Sequence, residues 1–107
     1  MKPKTAKRDK AAAEFFHLRL YIAGQTTKSV LALRNLRNIC EERLRNRYKL
    51  TVIDLRKQPK LAKGDQILAV PTLIRKLPLP LKRIIGTMSD TERVLVGLDL
   101  HPHADKE

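Results

Sequence analysis

One unit near the start of the chain constrains the fold more than any other feature: an alternating apolar run, a long amphipathic stretch, and a second apolar run. In "FHLRLYIAG", Phe16, Leu18, Leu20 and Ile22 alternate with His17, Arg19 and Tyr21 until Gly24 ends the pattern. That is the period of a strand with one face buried. In "TTKSVLALRNLRNICEERLRNR", Leu33, Leu36, Cys40 and Leu44 recur at three and four residues, Val30 and Ile39 widen the stripe, and Thr26 or Thr27 can cap the start. "YKLTVIDLR", Tyr48–Arg56, is again rich in residues that favour strands. A helix-bearing connection of this length between two strands suits a parallel crossover.

The remainder adds shorter elements. "KQPKLAKGDQILA" places Pro59 where a first helical turn tolerates it, and its only apolar residues are Leu61, Ala62, Ile67 and Leu68, so a short helix or a loop is expected. "VPTLIRKLPLPLKRIIGTMS" reads as two strands, about Thr72–Lys76 and Leu81–Gly86. Pro78 and Pro80 cannot donate ladder hydrogen bonds and belong in the connection between them. "SDTERVLVGLDL" supports two structures at once. Ser89 and Glu92 have capping-box spacing, which says helix, whereas Val94, Val96, Leu98 and Leu100 alternate at period two, which says strand. The cap favours a helix over about Asp90–Leu98, with a strand as the minor or partner-dependent alternative; Gly97, unfavourable inside a helix, falls near its C-terminus.

The resulting order, β-α-β-α-β-β-α with Pro71 just before the third strand, resembles the thioredoxin fold, in which that proline is usually cis and sits beside the active-site loop. A thiol oxidoreductase needs a reactive cysteine in the loop after the first strand. That loop is "AGQTTKS", with none, and Cys40 lies on the apolar stripe of the long helix. His17 is mid-strand. His101 and His103 supply two ligands where a stable metal site wants three or four. Asp54 ends a strand as a loop carboxylate or an arginine partner, and no glycine-rich phosphate loop exists. The expectation is a non-catalytic chain without cofactor or metal.

Charge bears on partners. The chain has 23 basic and 11 acidic residues, a net charge of +12, of which residues 1–10 supply +4. Residues 1–14 read as a flexible basic arm, 15–100 as the domain and 101–107 as a short flexible tail. The lysine-rich start has no apolar segment of a secretory signal, and no apolar run approaches the roughly 20 residues of a membrane helix, so a cytoplasmic protein without membrane attachment is expected. Basic clusters run along the long helix, through Arg56, Lys57, Lys60 and Lys63, and through Arg75, Lys76, Lys82 and Arg83. They make a basic nucleic-acid-binding domain the alternative reading. The few aromatics, Phe15, Phe16, Tyr21 and Tyr48, without a "GFGFV"-like run, count against it.

"LRLYIAGQTTKS", "VIDLRKQPKLAKGDQILAVPTLIRKLP", "KRIIGTMSD" and "ERVLVGLDL" closely resemble, in order and spacing, the KaiB family of bacterial clock proteins, from about Leu18 to Leu100. The resemblance implies a protein with two folds. One is a ground state, often tetrameric; the other is a monomeric, thioredoxin-like state that binds the KaiC ATPase ring, the second half of the chain refolding between them. Such packings can differ by only a few kcal/mol. The resemblance further implies a KaiC-like hexameric ATPase as partner, with KaiA or a SasA- or CikA-type kinase beside it, in circadian timing or a related stress role. Lys57, Pro59, Leu61, Ala62 and Asp65 match the family's partner-facing segment. Gly97 and Asp99 match positions that influence the switch, and Pro71 matches the proline of the thioredoxin-like state, while Ser89 and Glu92 weigh on the switch through the cap. The cap, together with a +12 charge that disfavours self-association, points to the thioredoxin-like state, mostly monomeric, with a tetramer or dimer in the other.

Overall fold

The crossover expected from the first half of the chain forms one side of the sheet, with β1 inside and β2 at the edge. A computed structural model describes residues 14–100. The basic arm apart from Glu14, and the tail with His101 and His103, lie outside the described residues. Strand β1 (Phe16–Ile22) is followed by helix α1 (Thr27–Arg43) and strand β2 (Tyr48–Asp54). A short helix α2 (Leu61–Gly64) precedes strands β3 (Thr72–Leu77) and β4 (Lys82–Ile85), and helix α3 (Thr91–Gly97) ends the described chain. β1 and β2 pair in parallel from Phe16 beside Tyr48 to Ile22 beside Asp54. β3 joins β1 antiparallel and β4 joins β3 antiparallel, giving the order β2-β1-β3-β4.

The main core lies on the sheet face that α1 and α3 cover. Phe16, Leu18, Leu20, Ile22 and Leu73 meet Ala32, Leu36, Ile39, Cys40 and Leu44 of the α1 side and Val94, Leu95 and Leu98 of the α3 side. Val30, expected to widen the α1 stripe, is instead 45% exposed. Ser29 takes the inward position in that turn. Its hydroxyl accepts from the Ala23 amide at 3.1 Å and from the Thr26 hydroxyl at 2.9 Å, while Thr26 caps α1 by accepting from the Ser29 amide. This net ties the end of β1 to the start of α1.

The outer face of the sheet departs from simple alternation. Tyr21, expected on an exposed face, is fully buried with Ile53 and Ile74 beneath Leu55, Ile67 and Val70. The segment after β2 folds back over this half of the face, which the local period of β1 cannot reveal. Pro71, Pro78 and Pro80 all follow cis bonds, Pro71 immediately before β3 and the other two in the β3–β4 connection.

Candidate functional site

The segment between β2 and β3 begins in a turn whose hydrogen bonds converge on Asp54. Its carboxylate accepts from the amides of Gly24 (2.9 Å) and Arg56 (3.0 Å), and its carbonyl from the amides of Lys57 and Gln58. The two amide bonds hold the Asp54 pKa below the ordinary carboxylate value. Gly24 has a φ of +63°, a left-handed conformation that favours glycine, whereas the nearby Arg56 side chain is exposed and free to move aside. From this turn the chain presents Lys57, Pro59 and Leu61 to solvent, with Leu61 39% exposed and Ala62 half-buried. Beside them is a groove of about 950 Å³ lined by apolar Pro59, Ala62, Ile67 and Leu68 and by Lys60, Lys63 and Gln66. Leu68, 96% exposed, is the most solvent-accessible of the large apolar side chains described.

Asp65 differs from its neighbours in the segment. Its side chain is only 9% exposed and turns inward. The Tyr21 hydroxyl donates to it at 2.5 Å, Lys76 Nζ at 2.7 Å and Arg19 Nη1 at 3.1 Å. Arg83 donates to the Asp65 carbonyl at 2.8 Å. Burial pushes the Asp65 pKa up, but the hydrogen bonds from Lys76 and Tyr21 and the charges of Lys76 and Arg19 outweigh it, and the net is below the ordinary value. Burial, followed by the bond to Asp65, raises the Tyr21 pKa. Asp65, expected in the partner-facing segment, turns its carboxylate inward here and clamps the segment to β1 and β3. Arg19, Tyr21 and Lys76, the residues that hold it, carry no sequence signal beyond their shared strand face.

The segment with two readings is a helix. Its cap is one residue later than expected: the Asp90 carboxylate accepts from the Arg93 amide at 3.2 Å, and the Ser89 hydroxyl is paired with Thr87 instead. The expected capping box between Ser89 and Glu92 is therefore not the cap. Asp90, extended at φ −91°, already points back along the helix start, and Glu92 lies exposed in the first turn, where its charge suits the positive end of the helix. At the other end the Asp99 amide donates to the Val96 carbonyl at 3.0 Å and the Leu100 amide to the Leu95 carbonyl at 2.6 Å, with Asp99 at φ +63°. This is a Schellman motif with aspartate in the left-handed position usually held by glycine. Gly97 is the last helical residue, and a Cβ there would lie 2.6 Å from Ile84 Cδ1, so α3 sits close on β4 because the side chain is missing.

One member of the expected basic field is inside the protein. Arg75 is 3% exposed, donates to the carbonyls of Leu98 at 2.7 Å and Pro80 at 2.8 Å, and has its guanidinium 6.0 Å from the Phe16 ring centre. Asp99 lies 3.7 Å from both Arg75 and Lys82. Arg75 thus closes the carbonyl end of α3 rather than offering charge to a ligand.

The groups weighed for catalysis are placed plainly. Cys40 is buried, and burial, then the Glu41 charge, pushes its thiol up to about 12, far from the thiolate that redox chemistry uses. His17, expected mid-strand, lies at the start of β1, its ring edge-on to Phe15. Among the described residues no three His, Cys, Asp or Glu side chains gather as metal ligands, and no helix is long and apolar enough to cross a membrane.

Comparison with known proteins bears on the same segments. The family model for the KaiB domain matches residues 19–100. The chain is 57% identical over 83 residues to a circadian clock oscillator protein KaiB of Synechococcus elongatus, covering 78% of this chain and 81% of that protein. It is 53% identical over 90 residues to a Prochlorococcus marinus protein of the same description, covering 84% and 86%. Among solved structures, the N-terminal domain of Synechococcus elongatus SasA superposes with a TM-score of 0.66 at 19% identity over 84% of this chain and 89% of that one. Chloroplastic thioredoxin z gives 0.66 at 19% identity over 91% and 88%. At these identities the two structural matches speak for the fold alone, which is thioredoxin-like.

Proposed function

The chain belongs to the KaiB family of circadian clock proteins, and from that membership we propose that it is a non-catalytic regulator of a KaiC-type ATPase ring. It docks on the ring in the thioredoxin-like state and modulates the ring's ATPase and phosphorylation cycle, in circadian timing or a related stress role. The observation that carries this reading is the segment Lys57–Ala62, solvent-facing and both basic and apolar, held on a rigid sheet by the buried Asp65 clamp. An exposed edge with a fixed backbone loses little entropy when it binds. Lys57, Pro59, Leu61 and Ala62 contact the partner in this reading, and Asp65 positions them. KaiA or a SasA- or CikA-type kinase competes for or joins the complex, and the protein works in the cytoplasm, mostly as a monomer.

The helical α3 is one of two states in this proposal, with Pro71, Gly97 and Asp99 at the positions that weigh on the choice, and Ser89 and Glu92 flanking the cap. Backbone chemical shifts of Glu92–Leu98 report helix or strand directly. The binding reading is tested by co-purification with a KaiC-like hexamer in the presence of ATP. A complex that Leu61→Asp weakens at least tenfold supports it. Absence of a complex at every salt concentration and temperature tried would sink it.

A further inference from the structure

The segment between β2 and β3 has a second half that the docking reading leaves unused. The chain is tied down on both sides of Leu68. Before it, Asp65 is clamped to Arg19, Tyr21 and Lys76, Gln66 takes a left-handed φ of +52°, and the Ile67 amide donates to the Ala62 carbonyl at 2.8 Å. Ile67 packs against the buried Tyr21, Ile53 and Ile74. After it, the buried Thr72 hydroxyl donates to the Ala69 carbonyl at 2.7 Å. Between these ties the Leu68 side chain stands in water, and it forms one wall of the groove of about 950 Å³ that Pro59, Ala62 and Ile67 complete with Lys60 and Lys63. An apolar side chain held out by tied backbone loses little freedom when a partner covers it.

The charge around the groove has one sign. Arg56, Lys57, Lys60 and Lys63 are all exposed, and among the described residues none of them forms a salt bridge. Residues 55–64 contain no acid. The two acids that flank them are committed: Asp54 accepts from the Gly24 and Arg56 amides, and Asp65 from its three donors. The groove is therefore an aliphatic floor inside a cationic rim, which repels a basic surface and attracts an acidic one.

Resting on the docking reading above, we propose that the partner surface this groove takes is acidic around one protruding apolar side chain. That side chain enters the groove against Leu68, and the surrounding carboxylates face Lys60, Lys63, Lys57 and Arg56. Leu68 is then the anchor of the contact and the four cations are its rim. Such an arrangement divides the work: the anchor governs how slowly the complex comes apart, the rim how fast it forms. A nucleic acid would satisfy the cations, but the apolar lining of the groove is aliphatic and offers no ring on which a base could stack.

The test follows association and dissociation of the full chain on an immobilised KaiC-like hexamer with ATP, between about 50 and 200 mM salt. Leu68→Ser raises the dissociation rate about tenfold or more and leaves the salt dependence of association unchanged, while Leu68→Met stays within about threefold of wild type. Lys60→Gln combined with Lys63→Gln lowers the association rate about three- to tenfold at low salt, flattens its salt dependence and leaves dissociation within about twofold. Arg34→Gln combined with Arg37→Gln removes the same charge from α1 and keeps the association rate within about twofold. All five residues are exposed, and an unchanged thermal melt confirms folding. A complex that Leu61→Asp breaks and Leu68→Ser does not overturns this inference and leaves the docking reading standing, whereas no complex with the wild-type chain overturns both. The acidic partner is refuted if the α1 pair slows association as much as the Lys60 and Lys63 pair, which would mean net charge only. The protein partner is refuted if a 12-nucleotide oligo-dT binds the free chain, loses its affinity with Lys60 and Lys63 and is indifferent to Leu68→Ser.

Discussion

Replacing Asp65 by asparagine removes the charge at the centre of the clamp while keeping the size of the side chain. The bond from the Tyr21 hydroxyl ends on an ionised acceptor away from water, a kind of bond worth about 1.5–3 kcal/mol. Arg19 and Lys76 are 35% and 33% exposed, so their pairs with Asp65 are screened and fall to the range of surface pairs, about 0.2–1 kcal/mol each. Asparagine returns one acceptor oxygen, so the net loss is about 2–3 kcal/mol. With a urea m-value of about 1–3 kcal/mol/M for a small domain, the unfolding midpoint falls by roughly 1–2 M at neutral pH. The effect has a pH signature. Because the folded pKa of Asp65 is depressed, its stabilisation is fully present above the unfolded carboxylate value and is lost as pH falls through the folded one. The Asp65→Asn protein therefore lacks part of the acid limb of the wild-type stability curve, and the two curves converge in strong acid. A double-mutant cycle with Tyr21→Phe gives a coupling of about 1 kcal/mol or more. A loss under about 0.5 kcal/mol, or an acid limb unchanged in Asp65→Asn, refutes the clamp.

Three further outcomes follow from α3 and the core. Asp90→Ala costs about 0.5–2 kcal/mol in chemical denaturation, as loss of a helix cap does, while Ser89→Ala stays within about 0.5 kcal/mol; equal effects would restore the capping box. Gly97→Ala destabilises by about 1–3 kcal/mol because its Cβ meets Ile84 Cδ1, and Ile84→Val, which removes that atom, recovers part of the loss in the double variant; a stabilised single variant would show that the approach of α3 to β4 is loose. Cys40, buried with its thiol raised to about 12, is alkylated by iodoacetamide in the folded protein only at the rate of opening, so labelling at the free-thiol rate contradicts its placement.

Where the sequence was informative, the interactions were local. The β-α-β crossover follows from period and length, and the Thr26 cap lies within three residues of its acceptor amide at Ser29. Tyr21 shows the opposite. Alternation in β1 reports one buried face, and the second burial comes from Ile67 and Val70, more than forty residues away and only weakly apolar in their surroundings. The inward turn of Asp65 has no local signal because its three donors are brought from two strands by the register. Arg75 defied the rule that cations face water, since its partners are main-chain carbonyls, which carry no residue identity. The shift of the cap from Ser89 to Asp90 is of another kind: two capping residues in succession leave the start of a helix undetermined by one position.

Arg75 also determines how the second half of the chain can move. One guanidinium holds the carbonyl of Leu98, the residue that caps the end of α3, and the Pro80 carbonyl in the loop between β3 and β4, while itself belonging to β3. Helix α3 cannot leave without stranding a buried cation, and the loop cannot rearrange without unseating the helix. Opening any one of the three therefore disturbs the other two, and they are expected to open together. In amide hydrogen exchange this unit has one signature: Leu73, Ile84 and Leu98 share a common opening free energy, and Arg75→Met separates Leu98 from the other two.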